Sequence, residues 1–202
     1  TPEQMYYLLR RQKIRPHRKP LIIFSPKSLL RHKESVSPLE EFANDKFKPV
    51  NEDWDSREIN PDKVERVIFC SGKVYYDLRA ERRARGIANL PLVRIAQIYP
   101  FAHEDFRAQI VRYKNAKEIV WCQEEPRNQG SWRHIQHYLM RHLLPHQKLY
   151  YAGRDSSASP AAGYKSLHEK QQKELVDQAL TLSGGSQPRA FAPRPLAEGE
   201  EF

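Results

Sequence analysis

Five short apolar runs, each bounded by turn-forming residues, divide this chain into a regular pattern that limits what it can fold into. They are PLIIFSP (20–26), ERVIFCSG (65–72), LPLVRIAQIYP (90–100), KEIVWCQEEP (117–126) and KLYYAGRD (148–155). The runs are rich in Val, Ile, Phe and Tyr, and several lack alternation of apolar and polar residues. Both properties are expected of strands that are buried on both faces of a sheet.

Segments with helical periodicity lie between these runs. The segment 72–86 places Val74 and Leu78 on one side and ends at Gly86, a residue type favoured just after helices. Three more amphipathic patterns cover residues 101–116, 131–144 and 163–180. Strands that alternate with helices through short connections predict a mostly parallel sheet with helices on both faces, which is a three-layer α/β/α fold.

Two segments fall outside this alternation. Residues 1–14 have the pattern of a helix that leads into a basic linker, and residues 31–63 are long and polar. Within the polar segment, SPLEEF has a helix-capping pattern, so we expect a short helix there, followed by irregular chain.

Charge and hydropathy narrow the class of protein. The net charge is +9, with basic residues grouped at 10–19 and 79–85. No nucleic-acid motif accompanies these groups, so we expect no nucleic-acid partner. No apolar run approaches the roughly 20 residues that cross a bilayer, and we expect neither a membrane segment nor a secretion signal.

Cys70 and Cys122 lie in apolar runs, which predicts buried free thiols in a reducing compartment.

The segment WCQEEPRNQGSW (121–132) concentrates polar chemistry between a predicted strand and a predicted helix. Its loop should lie at the carboxyl edge of the sheet, where ligands and partner surfaces gather in α/β folds. Adjacent residues of an extended segment point opposite ways, so Glu124 and Glu125 should not act as an acid–base pair. We expect one carboxylate to bind backbone N–H groups or an arginine. The candidate contact residues are Gln123, Glu124, Glu125 and Asn128, with Arg31 and His32 after the first predicted strand on the same edge.

Other reactive residue types do not form recognisable catalytic or metal-binding sets. Several histidines recur near the predicted helices, and the spacing of His134 and His137 can ligate a metal, but no cysteine or carboxylate completes the set. Ser157 and Ser159 lie in a small-residue loop without the Gly-x-Ser-x-Gly pattern of a nucleophile elbow. We therefore predict no catalytic residue, no cofactor-binding residue and no metal site in this chain.

Four motifs together carry a resemblance to a known family: SPKSLLRH, VIFCSGKVYYDL, VWCQEEPRNQGSW and GRDSSASPAAGYKSLHEKQQKELVDQAL. From residue 1 to about residue 181 the chain resembles the C-terminal end of the first component of 2-oxoglutarate dehydrogenases. These enzymes are thiamine-diphosphate-dependent decarboxylases of the transketolase family. The related 2-oxoadipate enzymes share much of this pattern and are the main alternative within the family.

The resemblance implies a transketolase C-terminal domain, with a five-stranded, mostly parallel sheet between helices, over residues 20–181. Residues 1–19 would then be the end of the preceding pyrimidine-binding domain and its linker. The parent enzyme uses thiamine diphosphate and magnesium, whose Gly-Asp-Gly signature is missing from this sequence, so we expect the chain alone to be inactive. Its implied partners are the rest of the enzyme, the homodimer mate and the acyltransferase component. The implied compartment is the bacterial cytoplasm or the mitochondrial matrix.

Some relatives carry an acetyl-CoA regulatory site on this domain. The resemblance suggests Lys73, Arg107 and Arg112 for it, since cations on consecutive β-α units could converge on phosphates. The alternative interpretation of these residues is ordinary solvated helix charge. A binding module for CoA, a nucleotide or an acidic peptide, independent of any enzyme, is the alternative for the whole chain.

The family pattern ends near residue 181. Residues 182–186 contain Ser-Gly-Gly-Ser and are typical of a flexible linker. Residues 187–202 form a proline-rich peptide with an acidic end, for which we predict an extended binding motif tethered to its receptor, with Phe191, Pro193 and Leu196 as anchors. The alternative interpretation is a disordered terminal extension without a partner.

Overall fold

A computed structural model describes residues 1–17 and 19–181, together with the backbone of 189–191. The chain divides into two compact units, Thr1–Pro49 and Val50–Phe202. No helix within the described residues is long and apolar enough to cross a membrane.

The first unit contains helix α1 (Pro2–Ile14), a 3-10 turn at Lys27–Arg31 and helix α2 (Leu39–Asn44). Tyr7 joins the two helices, because its hydroxyl lies 2.9 and 2.8 Å from the carbonyl oxygens of Glu41 and Phe42. Both predicted helices of this region are therefore confirmed.

The first predicted strand is wrong. Residues 20–26 form no strand, and the side chains of Ile22 and Phe24 are 76% and 95% exposed. A β-prone sequence needs a neighbouring strand to satisfy its backbone groups, and none of the described residues of this unit supplies one. The long polar segment instead contributes β1 (Val50–Glu52), where we expected irregular chain.

The second unit alternates strands and helices as the periodicity predicts. Its elements are β2 (Arg66–Cys70), α3 (Val74–Ala84), β3 (Leu92–Ile95), α4 (His103–Arg112), β4 (Glu118–Cys122), α5 (Trp132–Arg141), β5 (Lys148–Ala152), α6 (Lys165–Leu180) and β6 (Arg189–Phe191). Gly86 follows α3 with φ +64°, in the left-handed region that glycine adopts without steric cost.

The sheet of the described chain has the strand order β1-β3-β2-β4-β5-β6. The four central strands are parallel, and the two edge strands run antiparallel to their neighbours. Strand β6 comes from beyond the predicted domain. Without it the sheet has five strands and is mostly parallel, which confirms the predicted fold class.

Helices cover both faces of this sheet. Val67 and Phe69 of β2 pack in one core cluster with Phe106 and Ile110 of α4 and with the apolar side of α5. Alternate strand residues point to opposite faces, so Ile68 and Cys70 face the other layer, where α3 and α6 lie against each other. The fold is therefore a three-layer α/β/α sandwich.

The buried residue Arg66 fastens α6 to the amino-terminal edge of the sheet. Its guanidinium lies 2.6 Å from the Glu118 carboxylate on the neighbouring strand. It also donates to the carbonyl oxygens of Ala179, at 2.9 Å, and of Thr181 at the end of α6. Carbonyls at a helix end have no partner within the helix, so this arginine satisfies groups that burial would otherwise leave unpaired.

A candidate scaffold site at the carboxyl edge

The loop after β4 is organised by one buried side chain, Gln123, which is 2% exposed. Its carbonyl oxygen accepts from the indole N–H of Trp121 and from the backbone N–H of Trp132, both at 3.0 Å. Its amide nitrogen donates to the carbonyl oxygens of Glu125, Pro126 and Gln129 at 3.1, 3.2 and 2.9 Å. Gln123 therefore fixes the course of the loop from the strand into α5.

Two glycines make room for this arrangement. A Cβ at Gly130, whose φ is +63°, would lie 2.9 Å from the Gln123 amide nitrogen. A Cβ at Gly153, just after β5, would lie 2.6 Å from the Tyr151 hydroxyl oxygen and 2.9 Å from the backbone carbonyl oxygen of Gln123. Such distances are shorter than van der Waals contact, so the loop packs too closely for any side chain at these positions.

The two adjacent carboxylates have separate environments, as the sequence predicts. Glu125 is exposed, whereas Glu124 is partly buried. Glu124 Oε1 lies 3.0 Å from Lys73 Nζ at the start of α3 and 3.0 Å from the side-chain nitrogen of Gln172 on α6. The two glutamates do not converge on one point, and the structure brings no acid–base pair together here.

Lys73 and Glu124 belong to a network that spans α3, the loop and α6. Lys73 Nζ also lies 3.2 Å from Asp77, and Gln172 donates to the same Asp77 carboxylate at 2.8 Å. Partial burial opposes the charged form of Lys73, but the hydrogen bond and charge of Glu124 outweigh it and raise the pKa of Lys73. The cation is already neutralised by two carboxylates of its own domain.

Arg154, which follows β5, completes the network and was missed by the sequence analysis. Its guanidinium donates to the Glu124 carbonyl oxygen at 2.8 Å and to the Gln172 side-chain oxygen at 2.9 Å, and lies 3.2 Å from His168 Nδ1. Its place near the end of the run 148–155, at the same edge of the sheet as the loop, was the signal that could have identified it.

Asn128 joins the loop to the small-residue segment after β5. Its amide donates to the Ser157 carbonyl oxygen at 2.9 Å, and its side-chain oxygen accepts from the Ser157 backbone N–H at 3.0 Å. Ser157 and Ser159 are exposed and bond within their own turn. These two hydrogen bonds hold the exposed loop around Ser157 against the loop after β4.

The structure does not bring Lys73, Arg107 and Arg112 together. Lys73 precedes α3 at the carboxyl edge, whereas both arginines lie on α4, which covers the opposite face of the sheet. Arg112 ends α4 and forms an ion pair with Glu52 of β1 at 2.7 Å. Convergence of these three cations on phosphates is therefore not found.

Arg31 and His32 lie in the 3-10 turn and just after it, in the first compact unit. Their predicted contact with the carboxylates of the loop stays a prediction. Of the predicted peptide anchors, Pro193 and Leu196 lie outside the described residues, and Phe191 is described only as the last backbone position of β6.

Two further sets of reactive side chains, the two cysteines and a pair of histidines, lie elsewhere in the second unit. Cys70 and Cys122 are free and fully buried, as predicted, and burial raises the pKa of the Cys70 thiol to about 12. His103 Nδ1 lies 2.9 Å from His142 Nε2, and burial lowers the pKa of His142. No group of three His, Cys, Asp or Glu side chains within 1–17 and 19–181 could hold a metal ion.

Comparison with protein families decides where this fold belongs. Residues 36–180 match the family model described as 2-oxoglutarate dehydrogenase C-terminal. The chain belongs to this family. The match includes β2 to β5, the loop organised by Gln123 and all members of the Lys73–Glu124 network. The resemblance given by the four sequence motifs is thereby confirmed.

Curated relatives agree with the family match. The chain is 52% identical to the 2-oxoglutarate dehydrogenase E1 component of Cupriavidus necator, over 92% of this chain and 19% of that protein. It is 51% identical to the protein of the same name from Azotobacter vinelandii, over 90% of this chain and 19% of that protein. The chain thus spans about a fifth of the length of these relatives.

Among solved structures, the chain is similar to one described as a split gene transketolase, inactive beta4 tetramer. The TM-score is 0.45 at 16% identity, and the likeness covers 67% of this chain and 44% of that chain. At this level it adds nothing to the fold seen directly.

The residues of the carboxyl edge do not fit thiamine diphosphate. A diphosphate with its magnesium ion needs a glycine-rich backbone cradle and oxygen ligands for the metal. Here Lys73 is already paired with Glu124 and Asp77. The side-chain amide of Gln123 donates to a backbone carbonyl oxygen of its own loop.

Proposed function

We propose that this chain is the C-terminal domain of a thiamine-diphosphate-dependent enzyme that decarboxylates 2-oxoglutarate and passes the succinyl group to lipoyl carriers. In that enzyme the domain has a structural role, and the reacting groups belong to other domains. One observation carries this assignment of roles. The carboxyl edge commonly holds the ligand in α/β enzymes, but here the side chains of Lys73, Gln123, Glu124 and Arg154 bond within the domain itself.

The names of the relatives support the parent activity and its context. They are E1 components, so the homodimer mate, the remaining domains of the enzyme and an acyltransferase component are the partners we propose. The cofactors of the whole enzyme would be thiamine diphosphate and magnesium, held outside this chain. Because these relatives are bacterial, we propose the bacterial cytoplasm as the compartment.

A domain exchange tests the proposal. Residues 36–181 of this chain would replace the matching region of the Azotobacter vinelandii relative, and the chimera would be assayed for 2-oxoglutarate-dependent reduction of ferricyanide. At 51% identity we expect a folded oligomer with activity within about tenfold of the unaltered protein, a factor equivalent to about 1.4 kcal/mol of transition-state stabilisation.

Two outcomes would contradict this role. A chimera that folds and assembles normally but lacks activity would show that the domain carries protein-specific reacting groups. Turnover by the 202-residue chain alone, with thiamine diphosphate and magnesium added, would show that the chemistry lies within it. The matched control is the Azotobacter vinelandii protein carrying its own domain through the same cloning junctions.

Regulation by acetyl-CoA remains a separate proposal. Its support is the family resemblance around Lys73, without a geometric contribution from Arg107 or Arg112. Calorimetric titration of acetyl-CoA into this chain and into its Lys73→Ala variant tests it, and equal affinities would remove Lys73 from the site.

A further inference from the structure

The outer edge of β5 carries a strand that does not come from the family domain. The family match ends at residue 180, and β6 (Arg189–Phe191) pairs antiparallel with β5 beyond that limit. The register places Phe191 opposite Leu149, Ala190 opposite Tyr150 and Arg189 opposite Tyr151.

The backbone of β5 shows which of its groups the edge offers. Lys148 N donates to Lys117 O at 2.9 Å, and Ala152 O accepts from Gln123 N at 3.3 Å, so both residues turn their backbone groups toward β4. Along a strand, successive residues direct these groups to opposite sides. Leu149 and Tyr151 therefore present their N–H and C=O groups to the outer edge.

The side chains of the same two residues are not available for recognition. Leu149 and Tyr151 are buried and belong to the core cluster beneath α5. What the edge offers is therefore a short row of backbone donors and acceptors, which an extended peptide can satisfy by adding a strand. An edge left open in this way is also a site of uncontrolled pairing between chains.

We propose that the outer edge of β5 is a docking site for an extended peptide, and that the C-terminal segment containing Arg189–Phe191 occupies it in this chain. In the observed register, Arg189 and Phe191 face Tyr151 and Leu149 and form the hydrogen-bonded pairs. Ala190 directs its backbone groups away from β5. The segment is an added strand that lies beyond the residues matched by the family model.

Proline scanning of the full chain tests this register. Proline removes one backbone N–H and is tolerated on an edge strand only where that N–H faces outward. Arg189→Pro and Phe191→Pro should therefore release the strand, and Ala190→Pro is the matched control. Hydrogen exchange of the Leu149 and Tyr151 amides, followed by NMR, is the measurement.

We expect both amides to exchange at least tenfold faster in the Arg189→Pro and Phe191→Pro chains. In the Ala190→Pro chain the rates should stay within threefold of those of the unsubstituted chain. Equal rates in all four chains would overturn the proposal, as would the same acceleration from all three substitutions, because neither outcome follows the alternation of the strand.

A peptide added in trans tests whether the edge is a binding site in its own right. The Phe191→Pro chain would be titrated with a synthetic peptide of residues 187–202, since a short tether supplies an effective concentration in the millimolar range. Saturable binding should restore slow exchange at Leu149 and Tyr151. N-methylation of the peptide at Arg189 or Phe191 should abolish binding, and N-methylation at Ala190 should not. No saturable binding at several millimolar peptide would overturn the proposal.

Discussion

Lys73 and Glu124 meet across the carboxyl ends of two neighbouring parallel strands, with 3.0 Å between Nζ and Oε1. The contact ties the start of α3 to the loop after β4. Both side chains are only partly buried, at 32% and 22% exposure, so the pair is weakened by solvent but is shared with Asp77 and Gln172.

Glu124→Gln should lower the free energy of unfolding by about 1 kcal/mol at pH 7, the upper range for a partly exposed ion pair. Because folding raises the pKa of Lys73, this contribution is fully present below the unfolded-state pKa of about 10.4 and is lost as the pH rises through the folded value. The difference between the two proteins should therefore be constant from pH 7 to 9 and shrink above pH 10.5.

Urea denaturation at pH 7, 9 and 11 measures this difference. The matched control is Glu125→Gln, which removes the same charge from the exposed neighbouring residue and should change stability by less than about 0.5 kcal/mol. A constant Glu124→Gln effect up to pH 11 would contradict the assignment of Lys73 as its partner.

Replacing Gln123 by methionine should destabilise the domain by about 3–5 kcal/mol. The change keeps the size of the side chain but leaves the indole N–H of Trp121, the N–H of Trp132 and three buried or partly buried carbonyl oxygens without their partner. Equilibrium unfolding followed by circular dichroism gives the free energy.

Gln129→Met is the control for Gln123→Met, because the Gln129 amide makes an exposed hydrogen bond to the Ser157 carbonyl oxygen, at 3.0 Å. We expect a loss below about 1 kcal/mol there. Similar losses for the two substitutions would mean that Gln123 does not organise the loop.

Gly153→Ala should destabilise the protein by at least about 2 kcal/mol, since its Cβ would overlap the Tyr151 hydroxyl and the backbone carbonyl oxygen of Gln123. Gly163→Ala is the matched control, because nothing lies within 4 Å of its Cβ position. That substitution should be neutral or stabilising by up to about 1 kcal/mol through the unfolded chain. Thermal denaturation of both variants separates the two effects, and equal melting temperatures would refute the close packing at Gly153.

Arg66→Met should cost about 3–5 kcal/mol, because it leaves Glu118 buried without its cation and the carbonyls at the end of α6 without their donor. The double variant Arg66→Met, Glu118→Met should recover part of this loss, since no buried charge is left over. Chemical denaturation of the single and double variants gives the coupling energy. A double variant no more stable than Arg66→Met would show that the helix-end carbonyls, rather than the ion pair, account for the loss.

Sequence periodicity predicted most elements of the second unit, because its apolar strands pair with one another and the apolar faces of its helices pack against them. The run at residues 20–26 has the same β-prone composition, yet it forms no strand, since strand formation depends on a pairing partner that composition does not reveal. Conversely, Val50–Glu52 becomes an edge strand through pairing with β3, although three residues carry too little pattern to be recognised.

The candidate site was predictable in position but not in its contacts. The order strand, loop, helix placed Glu124 at the carboxyl edge and separated it from Glu125, because that follows from strand geometry alone. Its partners Lys73 and Gln172 lie far away in the sequence, and only the stacking of α3 and α6 on one face brings them together. Contacts of that kind depend on the order of strands and the faces of helices, which a single sequence leaves open.

The hydrogen bonds of the Gln123 side-chain amide have a consequence for tryptophan fluorescence. Of the three tryptophans in the chain, Trp121 and Trp132 are buried on either side of this amide, whereas Trp54 is 45% exposed and stacks against Arg57. Acrylamide should quench Trp54 readily and leave a shielded, blue-emitting component from the other two. The intensity of that component reports, without an added dye, whether the loop between β4 and α5 keeps its folded structure.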